Sequence, residues 1–466
     1  MAIQELEPAV AGDFPAPRPL RRTRLLAFLD SPACCGILAL LAMLAFTLAR
    51  WQRWSNGHIS TWILVGQRYA GPGLAHGIPL RGGTGYDGQF FYRLAMNPAN
   101  LNSTAYGITF DAPYRLMRIG YPALVWLASL GHGGTVPFML VAVNVAAMVV
   151  MAVVGGSFAR DGGYPALCGL LVPAYFGLLT SVSRDTAEPV ACAFLLAGLL
   201  AVRRRRPVLA GVLLACGALT RETAMVAVLA IAVVRCGSLL RRRELPGRPD
   251  SAWLLPAIAF PAWELVCKFA TGNLPLLADG NQNAGAPFIA AFDAIRHNAA
   301  QLTWTRFTNI DDWMLELAVL VVVATLALCC WRRTQAPLHE RVALVAYLVE
   351  ICVVTPSTWN SITADLRSFV EVYLIAIVVL LGVRPTRRTW WLLALAAAWA
   401  LPTLYITGLN RIMWSLLVSP GDFRYQVVVP HLDRVRPVVI DPVRGTEVLL
   451  DQDRRFPVGE VPGLAV

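Results

Sequence analysis

The chain has 466 residues, 56% of them hydrophobic and 15% charged, with a mean hydropathy of +0.56. A few soluble cores could not hide that much apolar surface, which excludes an ordinary globular protein. The formal charge of +11 does not indicate nucleic-acid binding, because the arginines stand in short clusters at the ends of apolar runs, where they set topology.

Residues 1–31 form a Pro-rich, polar N-terminal arm, expected in the cytoplasm. Arg21, Arg22 and Arg24 precede an apolar run with no small-residue cleavage site, the pattern of an uncleaved anchor. The first span is predicted at 32–50, and a long polar loop follows. Further spans are predicted at 136–158, 164–182, 187–202, 207–220, 222–237, 251–270, 312–330, 340–356, 367–383 and 389–408. The apolar stretch 117–130 is short for a span. Placing it along the interface puts every basic cluster (21–24, 203–206, 241–243, 332–333, 384–388) on the cytoplasmic side.

The expected fold class is therefore an all-α polytopic membrane protein of about eleven transmembrane helices. Juxtamembrane helices lie in its first outer loop, 51–135, and the membrane domain spans 32–408. The tail, 409–466, is expected outside as a small appendage. Its β-branched pieces at 426–429, 438–440 and 447–450 are separated by turn signals.

The ten cysteines lie in or beside apolar runs and read as small buried hydrophobes, without a disulfide or zinc pattern. The six histidines show no ligand spacing. Asp311 and Asp312 could meet a divalent ion but have no further ligands beside them, so no cofactor is expected. There is no Gly-rich phosphate loop and no nucleophile elbow.

The richest polar stretch is Gly85-Tyr86-Asp87-Gly88-Gln89-Phe90-Phe91-Tyr92-Arg93. Gly85 and Gly88 let the backbone turn tightly around Asp87. Desolvation beside the aromatic rings is expected to raise the pKa of Asp87 toward that of a useful general base. The competing role is plainer: Asp87 as N-cap of a helix beginning near Gln89.

This stretch, with Tyr114-Arg115-Leu116-Met117-Arg118-Ile119-Gly120-Tyr121-Pro122 after it, resembles the first outer loop of GT-C type glycosyltransferases. The resemblance is to the branch that includes the PIG-V-like mannosyltransferases and related bacterial membrane proteins. It differs in placing Tyr86-Asp87-Gly88 where many members have a second acid or a Trp-Asp pair. The resemblance implies sugar transfer from a polyprenyl-phosphate carrier on the outer face of a bacterial inner membrane. It further implies Asp87 as catalytic base, with Gln89, Tyr92 and Arg93 in substrate binding. The implied partners are the lipid-linked donor and membrane lipids, not nucleic acid.

Two later clusters fall on the same expected outer face. Arg184, Asp185 and Glu188 sit in a turn between spans, where the resemblance implies a second acidic site at Asp185 or Glu188. Arg221 and Glu222 interrupt a long apolar stretch, at a cost that an anionic ligand or mutual pairing would offset. Arg221 suits a carrier phosphate through its planar fork, with Arg118, Arg184, Arg306 and Arg367 as further candidates. A transporter or flippase of lipid-linked sugars, or a structural subunit of an envelope complex, are the alternatives. A transporter is expected to show a repeated half, and the sequence has no internal repeat.

Overall fold

The structure is a computed structural model that describes residues 28–55, 57–278, 285–301, 309–354, 358–359, 366–403, 438–440 and 447–449. It is an all-α polytopic membrane fold. Among the described residues, four helices are long and apolar enough to cross a bilayer: Pro32–Gln52, Gly133–Asp161, Ala224–Arg242 and Arg248–Thr271.

The helices that frame the rest are α1 (Pro32–Trp54), α2 (Gly88–Met96), α3 (Gly120–Ala128), α4 (Val136–Asp161) and α5 (Phe176–Val182). They continue with α6 (Glu188–Arg203), α7 (Pro207–Thr220), α8 (Ala224–Arg242) and α9 (Ser251–Thr271). After two short pieces, α10 (Pro275–Ala278) and α11 (Ile289–Ala299), come α12 (Asn309–Cys329), α13 (Leu338–Val353), α14 (Val370–Leu381) and α15 (Arg387–Thr403).

Several ends follow directly from the sequence. Pro207 opens α7 at a first-turn position, where its missing N–H costs nothing. Ser31 caps α1 by accepting from the Cys34 N–H at 3.2 Å. α14 is apolar nearly all round and buried along its whole length, the pattern of a helix enclosed by others.

The stretch 164–182 departs from expectation. It is not one span but a 3₁₀ turn, Ala166–Leu171, and the seven-residue α5. Pro173 between them has no N–H to donate, and its ring opposes a continuous α-helix. Within 117–130 the helix α3 has nine residues, about 13.5 Å, and does not reach across a core of about 30 Å.

The basic ends of the helices meet one another. Arg203 pairs with Glu340, and Arg204 with Asp161 at 2.8 Å. Thr334 bridges Val383, and Asp30 accepts from the Ala166 N–H at 2.9 Å. Arg206 and Arg248 line one surface hollow. The polar loops gather at the other end. There, the first loop contains the two-stranded pairs β1 (Val65–Gly66) with β2 (Leu80–Arg81), and β3 (Thr104–Ala105) with β4 (Ile108–Thr109).

In the tail, β5 (Val438–Ile440) and β6 (Glu447–Leu449) pair antiparallel, at two of the β-rich pieces read from sequence. The arm at 1–27, the piece at 426–429 and most of the remaining tail lie outside the described residues, as do Arg306 and the side chains of Asp311 and Asp312.

Candidate functional site

A cavity of about 740 Å³, lined by many charged side chains, opens at the loop end. Its walls come from segments far apart in sequence: Tyr86, Asp87 and Phe90 from the start of α2, Asp111 to Arg118, Glu188, the 221–223 hairpin, Glu350 on α13, and Arg367.

Asp87 lines it between two arginines. One carboxylate oxygen takes Arg115 Nη1 at 2.9 Å, and the other takes Arg367 Nη2 at 2.7 Å. Asp87 occupies the N-cap position of α2, yet its side chain makes no capping bond. The capping role is therefore not the one its oxygens perform.

The glycines around it answer to close packing. Gly85 has a φ of +66°, and a Cβ there would stand 2.3 Å from the Leu64 carbonyl oxygen. A Cβ on Gly88 would stand 2.4 Å from the carbonyl oxygen of Arg184. This contact docks the 183–188 turn against the start of α2.

The same arginines reach further acids. Arg115 holds Asp111 through two bonds of 2.8 and 2.7 Å. Arg367 donates to Glu188 at 2.9 Å through its other terminal nitrogen. Arg118 grips Glu222 with a two-pronged contact of 2.9 and 2.5 Å. Arg221 pairs with Glu371 at 2.9 Å, and Thr223 Oγ1 donates to the same Glu371 oxygen. Such charge-assisted bonds are stronger than neutral ones, and together they fix four guanidiniums around one space.

These pairs overturn the expected basicity of Asp87. Burial does push its carboxyl up, but Arg115 and Arg367 outweigh burial and hold it well below the usual carboxylate range. Glu222 shows the same balance: burial opposes ionisation, and Arg118 brings the carboxyl down to about 2.

Of the residues singled out in the sequence, Asp87, Gln89, Arg118, Glu188, Arg221, Glu222 and Arg367 all line the cavity. Gln89 also ties the loop, accepting from the Gly66 N–H and donating to the Thr84 carbonyl. Arg184 lies outside the lining and stacks over the Tyr86 ring at 4.5 Å.

Three others stand apart. Tyr92 is buried in the apolar core. Arg93 is fully buried, donating to the carbonyls of Asn100 and Asn102 and stacking on Phe110. Both belong to the scaffold of the loop, packed or bonded within it and absent from the cavity lining. Asp185 is fully buried with a φ of +51°, and neither carboxylate oxygen has a hydrogen-bond partner among the described residues. Burial pushes its carboxyl well up, with Arg50 only partly opposing.

Arg115, Asp111, Glu371 and Glu350 were missed. Asp111 and Arg115 carried a signal, an acid and a base four residues apart. Glu350 and Glu371 carried another, as ionisable residues inside apolar runs. Among the described residues no group of His, Cys, Asp and Glu has the makings of a metal site.

No family model matches the chain, and no curated protein does. Among solved structures, the chain is similar to ArnT from Cupriavidus metallidurans, crystallised with undecaprenyl phosphate, at 13% identity and a TM-score of 0.44. The match covers 80% of this chain and 64% of ArnT, so the chain spans less than two thirds of that protein's length.

Proposed function

We propose that this protein is a GT-C-like glycosyltransferase that moves a sugar from a polyprenyl-phosphate carrier to an acceptor hydroxyl. The observation that carries the reading is the set of four guanidiniums, on Arg115, Arg118, Arg221 and Arg367, fixed by carboxylates around one cavity of a membrane-embedded fold. Arginine forks bind phosphate oxygens in the geometry used for carboxylates, so a lipid phosphate can take over part of each pairing.

The reaction is a single displacement with inversion. The acceptor oxygen attacks the anomeric carbon as the bond to the carrier phosphate breaks, and the arginines stabilise the charge growing on that phosphate. Asp87 is the catalytic carboxylate at this centre. Held ionised, it faces the positive charge that develops on the sugar as the bond to phosphate lengthens. The protein is read as a multi-pass component of the bacterial inner membrane, with its basic helix ends in the cytoplasm and the cavity on the outer face.

The test uses purified full-length protein in liposomes with a panel of synthetic decaprenyl-phosphate sugars, each paired with a panel of acceptor alcohols. Release of decaprenyl phosphate is expected with the wild type, and Asp87→Asn should slow it by about 10²-fold. Transfer of a fluorescent lipid-linked sugar across the vesicle membrane with no bond cleaved would replace this reading with a flippase.

A further inference from the structure

The carboxylates at the cavity are not alike. Asp87, Asp111, Glu188 and Glu222 each meet an arginine within hydrogen-bond reach, and Glu371 behind the wall meets Arg221. Glu350 also lines the cavity, yet it makes no hydrogen bond or ion pair with any described residue.

Glu350 sits on α13 just before the helix ends at Val353, half-buried, with Ile351, Val353 and Val354 on the same wall. Its position is fixed from one turn below, where Tyr347 Oη donates to the Thr223 carbonyl at 3.1 Å and holds α13 against the 221–223 hairpin. The charged groups that act on it are Glu371, Arg221 and Glu222. Arg221 is already committed to Glu371, and Glu222 to Arg118. Two acids thus share one cavity in opposite surroundings: Asp87 between two guanidiniums, Glu350 beside apolar side chains and other acids. Such a division of surroundings divides roles between carboxylates, one kept ionised and the other exchanging a proton.

We infer that Glu350 is the proton acceptor for the incoming hydroxyl, while Asp87 remains the fixed charge between Arg115 and Arg367. This rests on the transferase reading above. In the step, the acceptor O–H proton passes to Glu350 as its oxygen bonds to the anomeric carbon. The C–O bond to the carrier phosphate breaks, and its electron pair leaves on the phosphate, beside the arginines. Glu350 then returns the proton to water.

The experiment compares wild type, Glu350→Gln and Asp87→Asn, using decaprenyl-phosphate release across a pH series and binding of decaprenyl phosphate alone. Glu350→Gln is expected to bind decaprenyl phosphate and melt as the wild type does. Its turnover should fall by about 10²–10⁴-fold, and the acidic limb of its pH profile should disappear. Asp87→Asn should be slower than wild type but keep that limb. Added formate should restore turnover to Glu350→Ala, since a small carboxylate can fill the vacated space, which a merely structural role would not allow.

Loss of the limb in Asp87→Asn with its survival in Glu350→Gln would assign the base to Asp87 and overturn the inference, leaving the transferase reading intact. A wild-type rate in Glu350→Gln would do the same. A wild type that binds no decaprenyl phosphate and turns over no donor would overturn the transferase reading and this inference together.

Discussion

Replacing Asp87 by Asn should make the cavity bind a lipid phosphate more tightly while making it a poorer catalyst. Asp87 and the phosphate compete for Arg115 and Arg367, which pair with Asp87 at 2.9 and 2.7 Å. A carboxylate about 5 Å from a phosphate charge repels it by roughly 3 kcal/mol at an effective dielectric of about 20. The Asp87 side chain is 22% exposed, so water screens part of that, leaving about 1–2 kcal/mol, or about tenfold in affinity. Asn is nearly isosteric and keeps one oxygen for an arginine, and each arginine keeps a second acid, Asp111 or Glu188. Folding should therefore survive. The assay is calorimetric titration of decaprenyl phosphate into purified protein in detergent, at low and high salt, with Asp185→Asn as a control that does not touch the cavity. A folded Asp87→Asn protein that binds the phosphate as weakly as the wild type, or more weakly, would refute the argument that these guanidiniums form the anion site.

Other expectations follow from the same geometry. Arg221→Ala leaves Glu371 buried without its cation and should cost about 3–5 kcal/mol in a denaturation series. Arg221→Lys should recover only part of that, since an ammonium lacks the planar fork that reaches both Glu371 and the Ser368 carbonyl. Gly88→Ala should lower the melting temperature, at a cost of about 1–3 kcal/mol, through its clash with the Arg184 carbonyl, while Gly134→Ala, with open space around it, should not. The pH dependence has opposite signs at two acids. The carboxyl of Asp87 is depressed in the fold, so its stabilisation is present above the unfolded value of about 3.9 and is lost as pH falls through the lower folded value. The melting gap between wild type and Asp87→Asn should close on acidification. The carboxyl of Asp185 is raised, so the wild type loses stability as pH climbs above about 3.9, and Asp185→Asn should gain on it between acid and neutral pH. An Asp185→Asn protein that melts well below the wild type at neutral pH would reject that placement.

Much of the scaffold was legible because hydropathy and punctuation agree. The expected span 207–220 coincides with α7, with a proline at its start and Arg221 directly after its end. The break at 164–182 was not legible from hydropathy, which does not register the missing donor of Pro173. In the site, charges that interrupt apolar runs stood out, which is why Arg221, Glu222, Arg367 and Glu188 were found. The ionisation of Asp87 was misjudged for a physical reason: its aromatic neighbours are close in sequence, whereas the two arginines that hold it ionised, Arg115 and Arg367, lie outside that stretch, the second 280 residues away. Arg93 misled in the opposite way. It lies in the same short stretch of sequence as the acid, but it donates back into the loop it supports.

The pairing of Arg367 with both Asp87 and Glu188 also bears on how the molecule is made. A membrane chain is inserted as it is synthesised, so Asp87 and Glu188 arrive long before their common cation. Until Arg367 and α14 are delivered, Glu188 at the head of α6 has no such counter-charge, and Asp87 relies on Arg115 alone. A nascent chain stopped before residue 366 would hold nearly every acid of the cavity without the last clasp that closes it. Quality-control proteases or insertion chaperones would meet an open, charged face, and the late entry of one arginine would mark the moment at which that face is sealed.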